Sequence, residues 1–394
     1  MHLSDNGGHP LGVGVIGVGL IGAYHAANLA RRVPGARLVA LADPMSDLAE
    51  QTAARLGCGF WSRDYESLLS NAEVEAVVVA SPARYHVEAI VAAAQASKAI
   101  FCEKPLAHSL AEAERAIAAV KASGVPFQIG FQRRFDPGFA RARALADRGD
   151  LGQIQLLRSV TRDPSLDHPE RVAPWAIFLE TLIHDFDVLR FLAGGAEPVE
   201  VYAQADALVL PDWKARGMLD TATVMLRYDT GAMATADASF QAVYGYDVRA
   251  EVFGSQGMAS VGEEVGPRLV HHSRVGSTRS RPRWFVELFD VAYRAELVGF
   301  TAAARAWQDA TPAARQPAEA RTLASRVGTT RAPERQPEAS SASAEEPLDD
   351  GTREDASAVV AGGIGDARAA LVLALAAIES VQRHQPVRID AITP

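Results

Sequence analysis

At 394 residues the chain exceeds what one hydrophobic core usually serves, so two folded units are expected. Hydrophobic residues make up 48% and charged residues 22%, enough apolar surface to offset chain entropy, which excludes general disorder. A formal net charge of -9 without a basic stripe excludes a broad nucleic-acid footprint.

The opening MHLSDNGGHP lacks the basic patch and apolar run of an export signal, and the apolar stretch Ala369 to Ile378 is too short to span a bilayer. Two cysteines, Cys58 and Cys102, support neither a disulfide framework nor a thiolate zinc site. The expectation is a cytoplasmic protein with no metal, no membrane and no nucleic acid among its partners.

From Leu11 to Phe131 short β-branched runs alternate with Ala-rich segments, which predicts a parallel sheet covered by helices on both faces. Strands are expected at Val13 to Ile16, Leu38 to Ala42, Ala76 to Ala80, Ala99 to Cys102 and Phe127 to Gly130, with a weaker one near Phe60. Helices are expected at Ile21 to Arg32, Ser46 to Leu56, Tyr85 to Ala96 and Leu110 to Ala122, with Gly57 and Gly124 as C-terminal caps. After about Arg134 longer alternating runs predict strands at Val199 to Ala207, Thr221 to Tyr228, Ala232 to Phe240 and Asp247 to Phe253. Turn chemistry at Tyr228-Asp229-Thr230-Gly231 and Gly254-Ser255-Gln256-Gly257 predicts consecutive up-and-down pairing.

The expected fold is therefore α/β plus α+β: a Rossmann dinucleotide-binding domain over 1–131, then an open, mostly antiparallel sheet domain with helices over 132–310. Residues 311–357, rich in Pro, Ala, Ser, Glu and Arg, read as a disordered insertion. Residues 358–394, with a helix from Gly365 to Arg383 and a strand near Pro386 to Ile389, complete the second domain.

Gly17-Val18-Gly19-Leu20-Ile21-Gly22 follows an apolar strand and opens a helix, the context that gives this glycine spacing meaning. Gly17 permits the turn, Gly19 clears the way to a pyrophosphate, Gly22 lets helix and strand touch, and the helix N-terminus favours phosphate. Asp43, ending the second strand, is placed for the adenosine ribose hydroxyls and opposes a 2′-phosphate, which favours NAD over NADP. Arg31, Arg32 and Arg37 nearby soften that preference, and a purely structural glycine turn is the plain alternative.

Cys102-Glu103-Lys104-Pro105-Leu106 ends a parallel strand, where ligands dock in open sheets, so Lys104 is a candidate to relay a substrate proton. By itself it reads as readily as a solvated lysine. In Phe178-Leu179-Glu180-Thr181-Leu182-Ile183-His184-Asp185-Phe186-Asp187, Glu180 and His184 lie one helical turn apart, while Leu182, Phe186 and Leu189 mark the buried face. His184 is a candidate to accept the alcohol proton and Glu180 to orient it or bind a neighbouring hydroxyl. A core histidine, or a zinc ligand pair lacking a third partner, are the alternatives. Arg133 and Arg134 in Gly130-Phe131-Gln132-Arg133-Arg134-Phe135-Asp136 border the cleft or act at a hinge, and Cys102 has no assigned role.

GVGLIG, ADP, VVVASPARYHVEA, FCEKPLA, GFQRRFDPGF and LIHDFDVLRFL together resemble the Gfo/Idh/MocA oxidoreductases, and among them the inositol 2-dehydrogenases, from the Rossmann half to about Leu192 and again in the last helix. The resemblance implies NAD-dependent hydride transfer from a ring secondary alcohol of a cyclitol or sugar, with Lys104, His184 and Glu180 as the catalytic set. It implies cofactor contacts from Gly17, Gly19, Leu20, Ile21, Gly22, Asp43, Ser81, Pro82, His86, Glu103 and Lys104, and homodimers or homotetramers formed through the open sheet. A non-catalytic NAD-binding regulator and an NAD-dependent glycosidase share the fold and stay as rivals. The chain departs from the family at Glu180, where aspartate is common, at Pro174-Trp175-Ala176, where glycines are usual, and at Ala83 and Arg84, where polar residues are usual.

Overall fold

The computed structural model describes residues 9–166, 168–262, 270–273, 276–279, 282–310 and 361–394. Six strands, β1 (Leu11–Ile16), β2 (Ala36–Ala42), β3 (Trp61–Ser62), β4 (Ala76–Val79), β5 (Ala99–Cys102) and β6 (Phe127–Ile129), form a parallel sheet in the order β3-β2-β1-β4-β5-β6. Every residue of β1, β4 and β5 is buried, as strands covered on both faces must be. Helices α1 (Leu20–Arg31), α2 (Ser46–Leu56), α3 (Tyr65–Ser70), α4 (His86–Gln95) and α5 (Leu110–Ser123) accompany the sheet. Gly57 and Gly124 end α2 and α5 in the left-handed conformation, as their positions predict. The strand order reverses between β1 and β4, which opens a crevice outside their carboxyl ends.

After α6 (Pro137–Asp147) come β7 (Ile154–Arg162), helix α7 (Leu182–Leu192), β8 (Pro198–Asp206), β9 (Thr221–Tyr228), β10 (Met233–Ser239), β11 (Asp247–Gly254), β12 (Met258–Val261) and a ribbon of β13 (Val270–Ser273) with β14 (Gly276–Arg279). A short turn α8 (Phe285–Leu288), then α9 (Asp290–Asp309), α10 (Ile364–Arg383) and β15 (Val387–Arg388) follow. The second sheet runs β12-β11-β7-β10-β9-β8-β15. One pair, β7 with β10, is parallel and the others are antiparallel.

The two expected hairpins, β9–β10 and β11–β12, are present. Continuous up-and-down pairing is not: β7 lies between β10 and β11, and the connection from Phe240 to Tyr246 carries the chain past it. Local turn chemistry sets hairpins, whereas insertion of an earlier strand is a long-range choice that turns do not encode. One face of the sheet packs on α7 and α10 through Phe186, Leu189, Val224, Leu226, Leu373 and Ala377, and strict in-out alternation in β9 reflects it. The stretch Thr311 to Ser357, expected to be disordered, lies outside the described residues. No described helix is long and apolar enough to cross a membrane.

Candidate active site

The turn after β1 shows why two of its glycines, Gly17 and Gly22, are needed. Gly17 has φ +87°, and a Cβ there would lie 2.5 Å from the Ser81 amide nitrogen. At Gly22 a Cβ would sit 1.9 Å from the Gly17 carbonyl oxygen, so the helix could not approach the strand. Gly19, the N-cap of α1, is different: a Cβ would meet nothing within 4 Å, so this side of the turn is open. With no side-chain cap, the first amides of α1 are free to meet a phosphate.

Asp43 pins the turn to the end of β2. Its Oδ2 accepts the Val18 N–H at 2.8 Å and its Oδ1 the Met45 N–H at 2.9 Å, leaving the carboxylate at the edge of the crevice. Leu20 is exposed on the turn. The residues fit a dinucleotide: an open glycine, a bare helix terminus and an acid at the ribose position.

A cavity of about 600 Å³ joins the crevice to the second sheet. The first unit contributes Ile21, Ser81, Glu103 and Lys104; the second unit contributes Gln132, Arg133, Thr161, Asp163, Glu180, His184 and Tyr246. Lys104, Glu180 and His184 are thus brought to one cavity. The Lys104 ammonium donates to the Glu180 main-chain carbonyl at 2.9 Å. Burial, then the positive charges of Lys104 and Arg133, push the His184 imidazole well below its ordinary pKa, so it is held neutral.

Two expectations need correction. Glu180 makes no hydrogen bond to His184, whose buried Nδ1 has no partner; residues Ile177–Thr181 form a π-helical turn ahead of α7, which changes the one-turn geometry an α-helix would impose. His86, expected at the cofactor edge, is 1% exposed and does not line the cavity. Its Nδ1 lies 2.8 Å from the Pro105 carbonyl and its Nε2 2.7 Å from the Ser81 carbonyl, so the ring ties two cavity loops together from beneath. Ser81 lines the cavity and Pro82 is exposed beside it.

Residues 11–131 match the Gfo/Idh/MocA oxidoreductase NAD-binding Rossmann fold, and 139–260 match a Gfo/Idh/MocA C-terminal domain. The scyllo-inositol 2-dehydrogenase (NAD(+)) of Bacillus subtilis is 37% identical over 75% of this chain and 87% of its own length. The myo-inositol 2-dehydrogenase of Thermotoga maritima is 38% identical over 73% of this chain and 86% of its own. The chain belongs to the Gfo/Idh/MocA oxidoreductase family. A crystal structure of a probable dehydrogenase from Thermotoga maritima superposes with a TM-score of 0.79 at 31% identity, covering 97% of this chain and all of that one, 100%.

In this Gfo/Idh/MocA chain the departures fall mostly outside the cavity. Neither Pro174, Trp175 nor Ala176 lines it. Trp175 keeps φ +63°, the region that favours glycine, and its indole packs towards Phe178 with ring centroids 6.4 Å apart. Arg84 lies over the Tyr85 ring at 4.7 Å.

Several site residues escaped the sequence. Asp163, at the end of β7, hydrogen-bonds Tyr246, and burial pushes its carboxyl up. Its Oδ1 has no partner. Both residues line the cavity. Arg133, expected from the sequence to border the cleft, lines the cavity, and with Arg134 it answers the acids of α7: Arg133 donates to Asp185 at 3.1 Å and Thr161 at 2.8 Å, and Arg134 donates to Asp187 at 2.9 and 2.6 Å. The available signal was two acids in the otherwise apolar LIHDFDVLRFL, because buried carboxylates require cationic partners.

Proposed function

We propose that this chain oxidises a ring secondary alcohol of a cyclitol or sugar with NAD, using Lys104 and His184 for the proton. The observation that carries the reading is that Lys104 and His184 line one cavity with Ile21 and Ser81, at the mouth of the glycine crevice. NAD bound in that crevice supplies the hydride acceptor. Lys104, held by the Glu180 carbonyl, donates to the substrate hydroxyl, and neutral His184 accepts the proton as the carbonyl forms. Asp163, Glu180 and Tyr246 provide acceptors and a hydroxyl for the remaining ring hydroxyls, which suits a polyol. The inositol dehydrogenases among the relatives support a cyclitol over an open-chain alcohol.

The test is a screen of inositols, aldoses and sugar acids for NADH formation by absorbance, with Lys104→Ala and His184→Ala as controls. Each variant is expected to bind NAD and lose turnover by about 10²- to 10⁴-fold. Near-normal turnover in either removes that residue from the mechanism. Product formation without net NADH identifies the glycosidase instead, and tight NAD binding without turnover identifies the regulator.

The reading includes a homodimer or homotetramer built on the outer face of the second sheet. Met233, Leu156, Phe253 and Met258 are all exposed and stand opposite one another across β10, β7, β11 and β12, an apolar row that a second copy would cover. Phe253→Lys is expected to shift the mass by light scattering towards the monomer. Two free thiols, Cys58 and Cys102, support a reducing, cytoplasmic setting.

A further inference from the structure

Behind the cavity, α1, the end of β5 and α9 bring three titratable side chains together. His25 Nε2 lies 2.7 Å from Glu103 Oε1, and Glu103 Oε2 accepts the Lys104 main-chain N–H at 3.2 Å. Glu296 of α9 turns its carboxylate into the same space: one ligand-capable atom from each of His25, Glu103 and Glu296 lies within 4.8 Å of the other two. Glu296 and His25 are 0% exposed and Glu103 6%. Neither carboxylate oxygen of Glu296 has a hydrogen-bond partner. Tyr293, on the preceding turn of α9, and Phe101 of β5 pack edge-on to the His25 ring at 5.9 and 5.4 Å. Gln128 of β6 donates to the Glu296 carbonyl at 3.0 Å, fixing α9 against the sheet.

Two carboxylates this close in the interior do not both ionise, because each has lost its hydration and each repels the other. Glu103 has the donors that a charge needs. Glu296 has none, so the proton belongs on it. His25 Nε2 and Glu103 Oε1 already face each other at 2.7 Å, a hydrogen-bond distance.

We propose that Glu296 is a neutral carboxylic acid facing the His25–Glu103 pair, and that it is a positioning residue for Lys104. It leaves Glu103 as the single fixed negative charge at the cavity floor, gripping the Lys104 main chain. The link to turnover rests on the dehydrogenase reading; the protonation state does not. Burial raises the Glu296 carboxyl well above the usual range, and the Glu103 charge adds to the effect.

The test is infrared spectroscopy of the NAD-loaded protein at pH 8. The wild-type minus Glu296→Gln difference spectrum is expected to show one protonated-carboxyl stretch lost in the variant. Because a raised carboxyl pKa destabilises the fold increasingly above the unfolded value of about 4.3, Glu296→Gln is expected to melt higher than wild type at pH 8, with the gap closing towards pH 4. Glu296→Ala is expected to lower kcat by about ten- to a hundredfold, with Glu296→Gln restoring most of it. An unchanged carboxyl region, or a stoichiometric divalent ion that disappears in Glu296→Gln, overturns the proposal. Neither infrared outcome depends on the substrate being a cyclitol, so failure here is separable from failure of the function.

Discussion

Behind the cavity wall Asp185 and Asp187 each face a guanidinium, Arg133 at 3.1 Å and Arg134 at 2.6 Å, whereas behind the floor Glu103 and Glu296 face each other and a histidine. The wall carries α7, and with it His184, so its buried acids need cations that keep their charge. Arginine supplies that, since it does not lose its proton in proteins. The floor has no guanidinium, and its charge is set by where a proton sits. The same amount of buried acid is therefore answered by guanidinium in one place and by a retained proton in the other.

The sharpest way to break this contrast is to remove one wall cation. Arg134→Ala leaves Asp187 buried with its bonds at 2.9 and 2.6 Å gone, and is expected to cost about 3–5 kcal/mol in urea unfolding. Arg134→Met with Asp187→Leu is expected to recover most of that, because the pair is then replaced rather than broken. A single variant costing under about 1 kcal/mol would mean that the wall is no more demanding than a surface pair.

A second, smaller effect concerns Asp163, whose carboxyl burial pushes up. Tyr246→Phe removes the hydroxyl bonded to Asp163 and is expected to lower kcat/KM by about five- to 150-fold, the equivalent of about 1–3 kcal/mol, chiefly through KM. Unchanged kinetics would take Asp163 out of substrate binding.

The pH dependence separates the regions again. His184 is held neutral by burial, so its folded pKa lies below the unfolded value of about 6.5. Below that pH the unfolded chain takes up a proton that the folded one refuses, and stability falls by up to about 1.4 kcal/mol per pH unit until the folded pKa is reached. Above about 6.5 the contribution is flat. His184→Gln is expected to flatten the acid side in denaturation measured between pH 7 and 5, and an identical slope would show that the imidazole is not withheld from water.

How far the sequence carried differs between the same two regions. The parallel sheet was legible because each strand is short, buried on both faces and followed by a helix, so composition alone marks it; α2 begins and ends where its pattern predicts. That Lys104, Glu180 and His184 meet at one cavity was legible through their motifs. β7 was not, since its exposure alternates imperfectly and its place depends on pairing with β10 and β11, nearly eighty residues and more away. Asp163, Tyr246 and Glu296 sit in unremarkable local sequence, and only tertiary packing brings them to the cavity or behind it. His86 misled for the complementary reason: its motif is real, but both ring nitrogens serve the loops rather than the ligand.

The smallest expected effect is at Glu180, where backbone and side chain divide the work. Its carbonyl, not its carboxylate, holds the Lys104 ammonium at 2.9 Å, and the carboxylate is exposed to the cavity without a bond to His184. Glu180→Asp keeps that carbonyl and withdraws the carboxylate by one methylene. Turnover number should therefore hold, while preference among inositol stereoisomers should shift by about tenfold, since one methylene in a pocket changes discrimination by roughly 1–3 kcal/mol. A large fall in kcat with unchanged preference would place the carboxylate in the proton chemistry and reverse the division drawn here between main chain and side chain.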